Sequence, residues 1–301
     1  MWIRRLLRQI AVWVGSLLGG LVAVFVASEL AAPITTRHIV PRWRYYETTG
    51  GDPGLVIICL HGLWTPDYFD AQLEHLGGLG NVLVMKAGGE VQDIAEAAMM
   101  ALGDLNLLSH KLAINGFSRG ALDLLRLLEL CLAAKCRVQK LVINAGPRPG
   151  AVRWPSKLVP WSGRVLRGGL LLQLVWQLYW RLQGDVGTGP RGVHIRSVIT
   201  GIRDLSAIEP AGRFYPELSC TLIRHAGNDP RVHVCDDAWR ELFPRLELVL
   251  IPGDGHGEYE LYPDEFNRAT PIASVRRRLP HEGSIKKVRV VVVGRWPGLF
   301  Q

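Results

Sequence analysis

Cysteine is sparse in this chain and carries no pattern. Five occur in 301 residues, Cys59, Cys131, Cys136, Cys220 and Cys235, an odd number with no C-x-x-C among them. That argues against a disulfide framework, and buried thiols are the expectation; a Cys220–Cys235 bridge is the one pairing the loop positions leave open. H-E-x-x-H and other paired-ligand spacings are missing, so no metal is expected. No nucleic-acid module and no interleaved run of stacking aromatics accompanies the formal charge of +8. Its basic clusters, Arg4-Arg5-Arg8, Arg276-Arg277-Arg278 and Lys286-Lys287-Arg289, therefore read as favouring an anionic lipid surface over nucleic acid. With 48% hydrophobic and 21% charged residues, nothing argues for disorder, and the length suits one large α/β domain or two small ones.

One segment lacks charge altogether. Ile10–Ser28 follows Arg4, Arg5 and Arg8 and stops at Glu29. At about 1.5 Å per residue it is just long enough to cross a hydrocarbon core of about 30 Å as a helix. No clean A-x-A cleavage site stands near Ala27, and the later candidate, Ala32, precedes Pro33, so an uncleaved single-pass anchor is expected over a signal peptide. Arg37, Arg42 and Arg44 nearly balance the N-terminal cluster; the closer cluster leans the orientation towards a cytoplasmic N-terminus.

Beyond a linker to about Val40, apolar strand patterns alternate with helix patterns. Arg42–Thr48 is expected to pair with Leu55–Leu60 through the Gly50–Gly54 turn. Leu55–Leu60 has no polar alternation, as a strand buried on both faces of a parallel sheet requires. Next come a helix at Asp67–Leu76, a strand at Val82–Met85, a helix at Val91–Leu102, a strand at Leu112–Ile114 with its following helix, and a strand at Val138–Asn144. The alternation stops between Pro147 and Leu218. It resumes with a strand at Cys220–His225, a helix at Asp236–Leu242, a strand at Leu246–Ile251 and a helix around Pro263–Leu279. Such spacing predicts βαβ units and a mostly parallel sheet covered on both sides. Residues 1–40 then form anchor and linker, 41–146 and 219–301 the core, and 147–218 an inserted cap. Val288–Val293 is open between an extra strand and a segment packed on the cap or a partner.

Gly116-Phe117-Ser118-Arg119-Gly120 lies between a strand and a helix pattern. In that context G-x-S-x-G reads as a sharp turn that exposes a strained serine above the sheet. A serine nucleophile needs a base, an acid that orients the base, and donors for an oxyanion. Candidates follow at the carboxyl ends of later strands, Asp229 in Gly227-Asn228-Asp229-Pro230 and His256 in Gly253-Asp254-Gly255-His256-Gly257. Asp204, Asp236, Asp237 and Asp254 are weaker acids for the role, Asp254 reading as a loop stabiliser. His61, beside Gly62 at a strand end, reads as part of the site architecture without a catalytic role. The Arg119 side chain is expected to reach solvent or an acid on its own helix.

With LHGL at Leu60–Leu63, GFSRG at Gly116–Gly120, GNDP at Gly227–Pro230 and GDGHG at Gly253–Gly257 in order, the chain resembles the α/β-hydrolase-fold serine hydrolases of the esterase and lipase type from about Arg42 to Leu279. The resemblance implies a triad in which His256 deprotonates Ser118 and Asp229 orients His256. It also implies an oxyanion hole formed by the backbone N–H groups of Leu63 and Arg119; no HGGG loop is present, so the hole resembles the two-donor kind. No cofactor is implied.

Trp154, Trp161, Trp176 and Trp180 share the 147–218 insertion with Arg153, Lys157, Arg164, Arg167 and Arg181, a mixture suited to a lipid headgroup layer. Two readings are open for Gly168–Trp180: a helix packed on the core, and an interfacial or acyl-accommodating lid. The sequence expectation is a membrane-anchored hydrolase of ester or thioester bonds with apolar acyl groups. An acyltransferase, amidase or peptidase would keep the same triad. A non-catalytic binding domain of the same fold is a further alternative, though it would need none of the three residues.

Overall fold

The structure is a computed structural model of the chain. It describes residues 2–31, 42–48, 50–62, 67–87, 91–147, 168–182, 214–229, 234, 236–257, 259, 262–269 and 285–292. An 8-stranded sheet forms its centre, in the order β7-β6-β5-β4-β2-β3-β1-β8. The strands are β1 (Arg42–Thr48), β2 (Asp52–Leu60), β3 (Gly80–Ala87), β4 (Lys111–Phe117), β5 (Arg137–Asn144), β6 (Ser219–His225), β7 (Leu246–Ile251) and β8 (Ile285–Val292). From β3 to β7 every neighbouring pair is parallel. The last two strands, β1 and β8, run antiparallel, β1 to β3 and β8 to β1.

The expected hairpin between β1 and β2 is not formed. β2 pairs in parallel with β3 on one side and β4 on the other, which leaves neither of its edges for β1. β1 pairs instead with β3, Tyr45 opposite Leu83. The apolar tail is an added strand, its Val288 opposite Tyr46.

Seven helices are described: α1 (Trp2–Ala31), α2 (Leu73–Leu79), α3 (Val91–Asp104), α4 (Gly120–Ala133), α5 (Leu170–Leu182), α6 (Asp236–Leu242) and α7 (Pro263–Ala269). Strand side chains alternate between faces, so the apolar Leu55–Leu60 run of β2 feeds two cores. Val56, Ile58 and Leu60 join Ile94, Leu102, Leu124, Leu128 and Phe243 on the face covered by α3, α4 and α6. Leu55, Ile57 and Cys59 join Phe69, Leu76, Phe117 and Phe266 on the other. A sheet wrapped in this way satisfies every central strand on both faces, as the lack of polar alternation in Leu55–Leu60 requires.

The segment expected as an insertion, 147–218, lies in sequence between β5 and β6, two strands that are parallel neighbours. The Trp239 indole N–H donates to the Gly146 carbonyl at 3.1 Å and pins the point of departure. Tyr215, whose N–H donates to the Leu242 carbonyl at 2.8 Å, stacks on Phe243 with ring centroids 5.4 Å apart at the point of return. Of the insertion itself, residues 148–167 and 183–213 lie outside the described residues. Cys59, Cys131, Cys136 and Cys220 are buried free thiols; burial pushes the Cys59 and Cys220 thiols far up, away from thiolate chemistry. Cys235 lies outside the described residues.

Candidate active site

Ser118 follows directly on β4 and has a positive φ of 52°, a strained conformation for a residue with a side chain. The surroundings hold it there. Its N–H donates to the Asn144 carbonyl at the end of β5, at 2.8 Å. Two residues earlier the chain passes so close to α4 that a Cβ on Gly116 would stand 2.5 Å from the Gly120 carbonyl oxygen; only glycine fits. α4 starts at once, with the Ala121 N–H donating to the Ser118 carbonyl at 3.0 Å, so Ser118 sits at the positive end of a helix dipole.

Asp229 follows β6 and His256 follows β7. The structure brings all three side chains together: His256 Nε2 lies 2.9 Å from Ser118 Oγ, and His256 Nδ1 lies 2.6 Å from Asp229 Oδ2. An ionised carboxylate only accepts, so Nδ1 carries the proton and Nε2 is left to accept from the serine hydroxyl. Asp229 and His256 are buried, which keeps this charge-assisted hydrogen bond out of competition with water.

The two loops are tied to each other. Asp254 accepts from the Asn228 N–H at 2.5 Å, the Gly227 N–H donates to the Gly253 carbonyl at 2.9 Å, and the Gly255 N–H donates to the Asn228 carbonyl at 3.2 Å. Asp254 is thus the loop stabiliser the sequence suggested. Asp236 is engaged elsewhere, gripping Arg224 through two 2.7 Å hydrogen bonds. Asp204 lies outside the described residues, as does Leu63.

Arg119 turns inward. Its guanidinium stands 3.4 Å from the Asp123 carboxylate one turn along α4, with both side chains buried. His61 Nδ1 donates to the Gly62 carbonyl at 2.5 Å. Burial pushes the His61 imidazole down to about 4, helped by the positive charges of Arg119 and Lys86 against the opposing effects of Gly62 and Asp67. A neutral histidine at this strand end fits an architectural part.

Three residues of the site, Phe117, Tyr68 and Asn144, have a role that no sequence pattern announces. Phe117 lies between Tyr68, stacked on it at 3.7 Å, and His256, whose ring centroid is 5.4 Å away. The Tyr68 hydroxyl donates to the Gly257 carbonyl at 2.9 Å and accepts from the Asn144 side-chain amide. No local pattern announces such a link, because its partners stand 189 and 76 positions apart in sequence.

No protein-family profile and no curated protein matches the chain. Solved structures match its fold. A thermophilic esterase from Thermogutta terrifontis is 15% identical and superposes with a TM-score of 0.56, over 76% of this chain and 91% of its own. A marine microorganism esterase is 19% identical, with a TM-score of 0.53 over 77% of this chain and 98% of its own. The type II thioesterase BorB from the borrelidin biosynthetic cluster is 15% identical, with a TM-score of 0.54 over 74% and 92%. The chain has the α/β-hydrolase fold.

Proposed function

We propose that the protein is a membrane-anchored serine hydrolase that cleaves carboxylic ester or thioester bonds of apolar acyl substrates through an acyl-enzyme. The observation that carries this reading is the unbroken hydrogen-bonded path from Ser118 Oγ through His256 to Asp229, at 2.9 and 2.6 Å, above the carboxyl ends of three strands. The similarity to esterases and a thioesterase supports the bond class.

Ser118 Oγ attacks the acyl carbonyl carbon while His256 Nε2 takes the hydroxyl proton, and Asp229 stabilises the imidazolium that results. The N–H groups of Arg119 and Leu63 are assigned to the developing oxyanion, Arg119 at the start of α4 where the helix dipole adds to its donor. Collapse of the tetrahedral intermediate breaks the bond from carbonyl carbon to oxygen or sulfur. The proton on Nε2 passes to the leaving group. Water then attacks the Ser118 ester with His256 again as base, and the free acid departs.

Gln9–Ala31 is long and apolar enough to cross a bilayer, and it is assigned as the anchor; residues 147–218 are assigned as the cap over the site. Hydrolysis of p-nitrophenyl esters of increasing acyl length by detergent-solubilised protein tests the reading. Turnover that rises with acyl length and disappears in Ser118→Ala is expected. Absence of hydrolysis of every ester and thioester offered would overturn it.

A further inference from the structure

The last turn of α1 closes the start of α5. Glu29 Oε2 and Oε1 accept from the N–H groups of Gly168 and Gly169 at 3.0 and 2.8 Å. Ser28 Oγ accepts from the Leu171 N–H at 3.1 Å. A Cβ on Gly169 would stand 2.5 Å from the Ser28 carbonyl oxygen, so the two backbones touch where only glycine permits it. The first N–H groups of a helix have no partner within it, and a carboxylate there also meets the positive end of the dipole. Glu29 and Ser28 supply both, from 139 or more positions away in sequence. Glu29 is itself 7% exposed.

From that junction α5 turns an apolar face outwards. Leu170, Leu174 and Leu178 recur at every fourth position, and with Val175 they are 74%, 53%, 57% and 54% exposed. Residues at that spacing share one side of a helix. A helix whose outer face is leucine needs something apolar to cover it. The helix it is joined to carries a second apolar surface: Leu17, Leu18, Leu21, Val22 and Val24 of α1 are also more than half exposed. If α1 crosses a bilayer, its last turn stands at the membrane surface, and α5 starts from that depth. Arg164 and Arg167 precede α5 in sequence and Arg181 falls in its last turn, a charge pattern suited to anionic headgroups.

We propose that the Leu170, Leu174, Val175 and Leu178 face of α5 is seated in the boundary between headgroups and acyl chains of the bilayer that α1 enters, with Glu29 as the positioning residue that fixes α5 to α1. The inference rests on the reading of α1 as a membrane-spanning helix. It deepens the proposed function by giving the cap a lipid surface to stand on, so that an acyl substrate reaches Ser118 from the bilayer without crossing water.

The test uses full-length protein in phosphatidylcholine vesicles containing phosphatidylglycerol, with a nitroxide on Leu174→Cys, Leu21→Cys or Leu132→Cys. Unsubstituted protein sets the background from native thiols. Oxygen collects in the acyl region and a nickel chelate stays in water, so their ratio reports depth. Leu21→Cys is expected to be deep, Leu132→Cys on α4 aqueous, and Leu174→Cys intermediate, about 5–10 Å below the headgroups. If Leu21→Cys is deep while Leu174→Cys matches Leu132→Cys, the seating of α5 is wrong and the anchor stands. If Leu21→Cys is itself aqueous, the anchor reading fails first. Shielding of Leu174→Cys from both reagents that strengthens with protein density would mean a second copy covers the face, which also overturns the proposal. Glu29→Ala is expected to keep the protein in the membrane yet shift the Leu174→Cys label towards the aqueous value, with Glu29→Gln in between because its amide oxygen still accepts. An unshifted label in Glu29→Ala removes Glu29 from the positioning role.

Discussion

The Tyr68 hydroxyl donates to the carbonyl oxygen of Gly257 at 2.9 Å, one residue beyond the histidine that reaches Ser118. Through it the segment after β2, the end of β5 at Asn144 and the loop after β7 become one polar unit packed around the Phe117 ring. Tyr68→Phe keeps the stack and removes the hydroxyl. It leaves a buried amide and a buried carbonyl short of a partner, at about 1–3 kcal/mol. A small displacement of His256 then acts on the chemical step, so turnover of a short soluble ester is expected to fall roughly tenfold with KM nearly constant. Unchanged kcat together with a lowered unfolding temperature would make Tyr68 a structural residue alone.

Ser118, His256 and Asp229 are expected to act as a unit. Loss of the nucleophile or the base in comparable triads costs about a millionfold in turnover, and loss of the acid about ten-thousandfold. Ser118→Ala and His256→Ala should therefore leave no measurable rate. Asp229→Asn should retain a trace, since His256 stays near Ser118 but loses the group that fixes its tautomer. The double variant Ser118→Ala/His256→Ala should be scarcely worse than either single one. Additive losses in steady-state kinetics would contradict the unit.

What the sequence makes legible here are features written locally. The unbroken apolar run of Leu55–Leu60 marks a central strand, and both of its edges are indeed occupied. Three turn motifs at strand ends mark where Ser118, Asp229 and His256 stand, because backbone constraints at such turns restrict the residue types. The pairing of Arg119 with Asp123 is visible as an acid one turn further along the same helix. The partner of β1 was not legible, since an alternating strand carries no mark of which edge it will join. Nor was the Tyr68 link or the contact of Glu29 with Gly168 and Gly169, both made between segments far apart in sequence by single polar groups.

His61 predicts a pH dependence of stability. Its imidazole is held at about 4 in the folded chain against an ordinary 6.5, so between those values the unfolded chain binds the proton and the folded one resists it. Stability then rises with pH across this window and is lost as pH falls from 6.5 towards 4, by up to roughly 3 kcal/mol for this one group. His75, also lowered by burial, adds to the same slope. His61→Gln should flatten the plot of unfolding temperature against pH in that interval without abolishing its slope. An identical slope in the variant would remove His61 from the account.

The proposed attachment by α1 predicts a plain extraction pattern. Full-length protein should stay with membranes through high salt and alkaline washing, because a charge-free span is held by apolar burial and not by ion pairs. A chain starting at Ala32 should lose integral attachment, and with Glu29 and Ser28 gone it should also lose the closure of the α5 N-terminus. Limited proteolysis is then expected to cut it sooner near Gly168 than the full-length protein. Release of full-length protein by salt alone would contradict a membrane-crossing helix.

Covalent labelling by a fluorophosphonate tests the nucleophile most directly, since phosphonylation of the serine, with loss of fluoride, needs an activated hydroxyl and no knowledge of the natural substrate. The wild-type protein is expected to take up one equivalent on Ser118, located by peptide mass, with labelling that falls steeply in His256→Ala and vanishes in Ser118→Ala. Labelling that persists in a folded Ser118→Ala variant, or a folded wild-type protein that takes up none, would contradict the assignment of Ser118 as the nucleophile.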